Sequence, residues 1–239
     1  MDDRNRPILP GTAATDYERY LRTDELLALQ KEAHEVVHRD EHLFQTVHQS
    51  SELWLKLACL ELEHATSLVS NDAVSAAVRL LRRATDSLSL IIDQVHMLEH
   101  MSPVDYTAVR TALGHGAGFD SPGFRRVHQS SPLLGHAFDE LLKRRELTIL
   151  DVYERARDFE DLYQLAEQML TWDERAILWR MHHLKVVERI IGGHVVGTQG
   201  TPVEVLTKRI DVRFFPELWN VRDEITRRSP LGAEGHSSR

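Results

Sequence analysis

The sequence is poor in cysteine: Cys59 stands alone among 239 residues, so no intrachain disulfide can form and no Cys-x-x-Cys metal site can be built. Positive charge is short as well. With 29 Lys and Arg against 37 Asp and Glu the formal net charge is −8, without the basic excess that neutralising a phosphate backbone requires, and nucleic acid is excluded as an expected partner. No apolar run nears the roughly 20 residues that span a bilayer. The start, MDDRNRPILP, is acidic and proline-broken where a signal peptide would carry an apolar stretch. The expectation is a cytoplasmic protein with no membrane partner. Strand-like alternation is scarce, and no period of 20 to 50 residues marks a repeat architecture.

Helical periodicity fills the space these absences leave, and it predicts an all-α bundle of long helices. Residues 1–14 read as a flexible arm, 15–227 as a single helical domain, and 228–239 as a disordered tail rich in Pro, Gly and Ser. Thr23 should cap a helix through DELLALQKEAHEVV, and a second helix should run from about Asp40 to Val69. Asn71 should cap a third of about 30 residues, and Pro103 should open a shorter one, PVDYTAVRTALG. LTILDVYERARDFEDLYQLAEQML and DERAILWRMHHLKVVERIIGG should form a second pair of long helices, the last ended by Gly192 and Gly193. GHGAGFDSPGF is the glycine-rich loop inside the body of the chain and a candidate site wall. VVGTQGTPVEV reads as loop, and DVRFFPELWNVRDEI closes the ordered part.

Fourteen histidines are the compositional excess. His48 lies in HLFQTVHQSSELWLKL with Phe44, Ser51, Glu52 and Leu55 at helical spacing, so it projects from a mostly apolar face. Such a histidine is either a core residue bonded to a carbonyl or to Glu52, or a functional imidazole. Adjacent helical residues point about 100° apart, so His182 and His183 cannot share a role. His182 has Lys185 and Arg189 nearby and faces water. His183 has Trp179, Val186, Val187 and Ile190 and faces inward, where an imidazole can be a packed residue or an axial ligand to haem iron. His34, His38 and His42 repeat at four-residue spacing among charged neighbours without an H-E-x-x-H pattern, which argues against a metal site. His96 and His100 at a helix end need no role beyond complementing the helix dipole. The acid-rich 151–168 stretch lacks the paired E-x-x-H units of a di-iron bundle.

Several segments, in order, resemble the tryptophan 2,3-dioxygenase family and related histidine-ligated haem-dependent aromatic oxygenases: YERYLRTDELLALQ, HLFQTVHQSSELWLKL, MSPVDYTAVRTALG, GFDSPGFR, LWRMHHLKVVERIIG with GT, and FFPELW. The resemblance implies a helical fold enclosing haem b, with His183 as the axial iron ligand and His48 as the distal histidine beside dioxygen and the indole nitrogen. It implies Phe44 as a wall of the indole pocket, Arg110 as the grip on the amino-acid carboxylate with Tyr106 as companion, and Thr198 near the ammonium group. Tyr17 and Tyr20 match paired tyrosines that line a neighbouring subunit's pocket, which implies a homo-oligomer, tetramer or dimer. The substrates implied are dioxygen and L-tryptophan or a substituted tryptophan, most simply cleaved to N-formylkynurenine.

The chain also departs from the family pattern. GTQGTPVEV replaces the family's glycine-rich continuation after the threonine, Gly116 and Ala117 replace a serine pair, Val95 stands where a tryptophan near the porphyrin is common, and the stretch between Phe124 and Leu147 is short. These changes leave open a haem monooxygenase giving an oxindole or hydroxylated product. Beside it stand a non-catalytic haem sensor or carrier and a cofactor-free helical interaction protein.

Overall fold

The computed structural model describes residues 6–196 and 204–228. Among them are ten α-helices and no β-strand, so the all-α expectation holds. Four long helices make the body: α3 (Asp40–Ser70), α4 (Val74–Val95), α6 (Pro122–Arg144) and α8 (Glu160–Ile190). The shorter ones are α1 (Asp16–Leu21), α2 (Thr23–Leu27), α5 (Pro103–Ala112), α7 (Ile149–Glu154), α9 (Glu204–Ile210) and α10 (Pro216–Arg228). No helix among the described residues is long and apolar enough to cross a membrane.

Helix α3 packs against both α4 and α6, and α4 against α8. Small residues permit the close approach: Ala58 and Ala65 on α3 and Ala77 and Ala84 on α4 are fully buried among Leu55, Leu62, Leu81 and Ile91. Each buried leucine or isoleucine contributes about 1.5–3 kcal/mol relative to exposure. Polar pairs fix the register between these apolar faces. Arg126 of α6 grips Glu63 of α3 through two bonds of 2.7 Å, with the Ser130 hydroxyl donating to the same carboxylate at 3.0 Å. On α8, the fully buried Trp172 donates its indole N–H to Ser131 of α6 at 3.0 Å.

Three expectations about the helices are corrected. Thr23 does not cap a helix running to residue 37. Helix α2 ends at Leu27, because side chains of α3 satisfy the backbone of the next segment and remove its need for helical bonds. Gln45 accepts from the amide of Lys31, Glu41 from that of Val37, and Gln49 and His42 donate to the carbonyls of Leu29 and Lys31. Asn71 does not start α4. Its side-chain NH2 donates to the Ser67 carbonyl at 2.8 Å and closes the end of α3 instead.

The third correction concerns α8, which runs unbroken for 31 residues where a break near residue 172 was expected. Asp173, which reads as a helix start, points sideways in mid-helix and is fully buried. Its carboxylate accepts the amide of Phe214 at 3.0 Å, that of Phe215 at 3.3 Å and the indole N–H of Trp219 at 2.9 Å. The fourth long helix is therefore α6. The expected end of α8 holds: the chain turns at Gly192, whose φ of +105° suits a residue without a Cβ. Part of the expected VVGTQGTPVEV loop is helix α9, and residues 197–203 lie outside the described residues.

Candidate functional site

One wall of the site is built by α3 and α5. On α3, Phe44 and His48 are one turn apart, and their rings stack with centroids 4.0 Å apart. His48 Nδ1 lies 2.7 Å from the Phe44 carbonyl oxygen. A carbonyl only accepts, so Nδ1 carries the proton and Nε2 presents a lone pair. Burial pushes the His48 pKa below its ordinary value of 6.5, against the opposing pull of that carbonyl and of Glu52, and so keeps the ring neutral. From α5, the Tyr106 ring reaches to 6.2 Å from Phe44. Burial raises the phenol of Tyr106, and the nearby Arg110 guanidinium partly offsets the rise. Arg110, one turn beyond Tyr106, donates to the Val196 carbonyl at 3.3 Å and so leans toward the end of the described chain before residue 197.

The opposite wall is α8. His183 lies nearly parallel to Trp179, centroids 5.3 Å apart, and Trp179 stacks in turn on Phe124. A Cβ built on Gly118 would come within 3.8 Å of both Cε1 and Nε2 of His183, so the glycine loop passes directly beside this ring. Neither nitrogen of His183 has a hydrogen-bond partner among the described residues. Burial, with a smaller contribution from His48, drives its pKa from 6.5 down to about 4, so the imidazole is neutral with a free lone pair. That contribution puts the two imidazoles within electrostatic reach of each other. By surface area His48 is exposed in the single chain and His183 is half-buried.

Glu52, one turn beyond His48, joins the two walls. It accepts the hydroxyl of Ser121 and, at 3.0 Å, the amide of Gly123, both at the start of α6. The sequence reading set Glu52 beside His48 as an alternative partner, and the structure gives His48 the carbonyl instead. The neighbouring small void of about 10 Å³, bounded by Phe124, Trp179, Arg180 and Phe214, has room for one water. Trp179 Nε1 and Arg180 Nη1 are buried there without hydrogen-bond partners among the described residues.

The structure thus brings together Phe44, His48, Tyr106, Arg110 and His183. Tyr17 and Tyr20 stand apart on α1, 69% and 78% exposed in the single chain, and Thr198 lies outside the described residues. His182 turns away from His183 and meets His96 edge-on at 4.9 Å. His34, His38 and His42 do not converge on a metal site, and no group of side chains suited to a metal ion occurs among the described residues. A groove of about 860 Å³ lies beside His38, His42, His100 and Asp105. None of the five clustered residues lines it, so volume alone would misplace the chemistry. Asp173 was missed by sequence reasoning. Its signal was a lone carboxylate between Trp172 and Ala176 on an apolar face.

Comparison with known proteins identifies the family. A family model described as tryptophan 2,3-dioxygenase matches residues 5–140 and 141–225. A tryptophan 2,3-dioxygenase of Bacillus anthracis is 32% identical over 282 aligned positions, covering 94% of this chain and 100% of its own length. One from Serratia proteamaculans is 31% identical over 278 positions, covering 92% and 99%. One from a Polaromonas species is 32% identical over 260 positions, covering 87% of each.

Proposed function

Because the chain belongs to the tryptophan 2,3-dioxygenase family, we propose that it is a haem-dependent oxidoreductase that uses dioxygen to cleave the 2,3-bond of the indole ring of L-tryptophan, or of a substituted tryptophan, giving an N-formylkynurenine. The observation that carries the reading is a pair of neutral imidazoles within electrostatic reach of each other, His48 on α3 and His183 on α8, the latter with Gly118 passing beside its ring.

The residues fit a haem b. His183 offers a nitrogen lone pair that no described residue engages, in surroundings dry enough to keep it unprotonated. Beside it the buried indole N–H of Trp179 lacks an acceptor, and Gly118 keeps the adjoining backbone free of a side chain. When bound, the haem supplies an iron that activates dioxygen for insertion into the indole.

The chain's own groups then bind and orient the substrate. Arg110 pairs with the amino-acid carboxylate, two parallel N–H donors matching two oxygens, with Tyr106 as its companion on the same helix face. Phe44 supplies an aromatic wall for the indole. His48, held by the Phe44 carbonyl, accepts the indole N–H at Nε2 and fixes the angle at which the ring meets dioxygen. Thr198, which lies outside the described residues, is the position the family resemblance assigns to the ammonium group. Tyr17 and Tyr20, exposed in one chain, complete the pocket of a neighbouring copy in a homo-oligomer, tetramer or dimer. Residues 15–227 act as one haem-binding domain, in the cytoplasm.

Turnover of tryptophan under isotope-labelled dioxygen tests the reading by mass spectrometry. Two labelled atoms in the product are expected. One labelled atom identifies a monooxygenase and sinks the assignment.

A further inference from the structure

We infer that Glu52 is a positioning residue: its carboxylate ties the helix carrying His48 to the segment that supports His183, and so sets the spacing between the two walls of the pocket. The inference rests on the haem reading above. Both oxygens of Glu52 are engaged. One accepts the Ser121 hydroxyl and the other the Gly123 amide at 3.0 Å. Ser121 also caps α6, its Oγ accepting the Phe124 amide at 3.2 Å, so this hydroxyl passes the hold of Glu52 on to the helix. A carboxylate at the start of a 23-residue helix is also favoured by the helix dipole.

Gly123 is what allows the approach. A Cβ there would lie 2.6 Å from Leu55 Cβ and 2.7 Å from the Glu52 carboxylate, so any side chain would push α6 off α3. Two routes to His183 start from this anchor. Backward from Ser121 the chain makes the turn Gly118–Asp120, closed by Asp120 accepting the Ala117 amide at 3.0 Å, and brings Gly118 against the imidazole. Forward, Phe124 stacks on Trp179, which lies parallel to His183. The hydrogen bonds of Glu52 among the described residues go to Ser121 and Gly123 and to none of His183, Phe44, Tyr106 and Arg110, so beyond its pull on the charge of His48 it acts through the segment it holds.

The test compares the full native chain with E52L, E52Q and S121A. Glutamine is isosteric, and its carbonyl can accept the Gly123 amide while its NH2 donates to Ser121, so E52Q keeps the bonds and loses the charge. In haem-free protein, amide exchange over residues 117–124 is expected to be about ten-fold or more faster in E52L, as for loss of a charge-assisted bond, and within about three-fold of native in E52Q. Haem titration followed at the Soret band should show affinity about ten-fold weaker in E52L, with kcat down about ten-fold and KM for tryptophan within about two-fold. S121A, which removes one bond without placing leucine beside α6, should move each readout in the same direction by about three-fold, and serves if E52L does not fold.

A folded E52L with native exchange and native haem affinity overturns the inference. So does an E52Q as impaired as E52L, which would make the role one of charge. A native chain that takes up no haem overturns the haem reading and the purpose assigned to Glu52 with it, whichever way the exchange rates fall.

Discussion

His48 donates its Nδ1 proton across 2.7 Å to the main-chain carbonyl of Phe44, and this one bond decides which nitrogen of the ring faces the pocket. Phe44 stacks on the same imidazole, so a single residue sets both its tautomer and its tilt.

His48→Ala should bind haem as the native chain does and lose about ten- to hundred-fold in kcat/KM, the equivalent of one hydrogen bond worth about 1.5–3 kcal/mol in the transition state. Steady-state kinetics beside a Soret titration separates the two effects. Unchanged kcat/KM would remove His48 from the mechanism.

Arg110→Lys keeps the charge but loses the two-donor fork, so KM for tryptophan should rise about ten-fold or more, with a smaller change in kcat. A tryptophan analogue lacking the carboxylate should be turned over equally poorly by native and variant protein. If the analogue still distinguishes the two, Arg110 has another role.

The haem-free protein should lose stability on acidification partly through His183. An unfolded imidazole takes up its proton near 6.5, whereas the folded one does so only near about 4. Between those values the unfolded chain holds the extra proton. Stability therefore falls as pH drops through that window, by roughly 3 kcal/mol at most, and His48 adds in the same direction. Denaturant melts at pH 7 and pH 4.5 should show a smaller loss for His183→Leu than for the native chain. Equal losses would place the pH dependence elsewhere.

Asp173→Ala should lower the melting temperature by about 10 °C. The change strands the two amides and one indole N–H that Asp173 now accepts, a cost of about 3–5 kcal/mol for a broken buried charge, at about 2–4 °C per kcal/mol in a chain of this size. Calorimetry measures it. A shift under about 2 °C would show that the 214–219 segment is held by its apolar packing alone.

Much of this arrangement was legible in the sequence where local periodicity and packing agree. Helix α3 was expected from Asp40 to Val69 and runs from Asp40 to Ser70, because its buried positions recur at helical spacing along its length. The opposite fates of His182 and His183 followed from the 100° step between neighbours. Failures came where a distant side chain overrode a local preference. The segment after Leu27 has good helix formers, but Gln45, Gln49 and Glu41 satisfy its backbone from another helix. Asp173 carries the local signature of a helix start and serves instead as an acceptor for residues some forty positions later. Glu52 was visible as a neighbour of His48, but its partners Ser121 and Gly123 lie about seventy positions away, beyond any local pattern.

The unbroken course of α8 has a consequence for the order of assembly. Asp173 and His183 ride on one rigid rod, ten residues or roughly 15 Å apart. Until residues 214–219 leave the ribosome, the Asp173 carboxylate on that rod has only water as its partner, and the fit of the rod against α4 stays provisional. The wall that carries His183 is therefore fixed late in synthesis, and a haem held there, as proposed, would be taken up by a nearly finished chain rather than a nascent one.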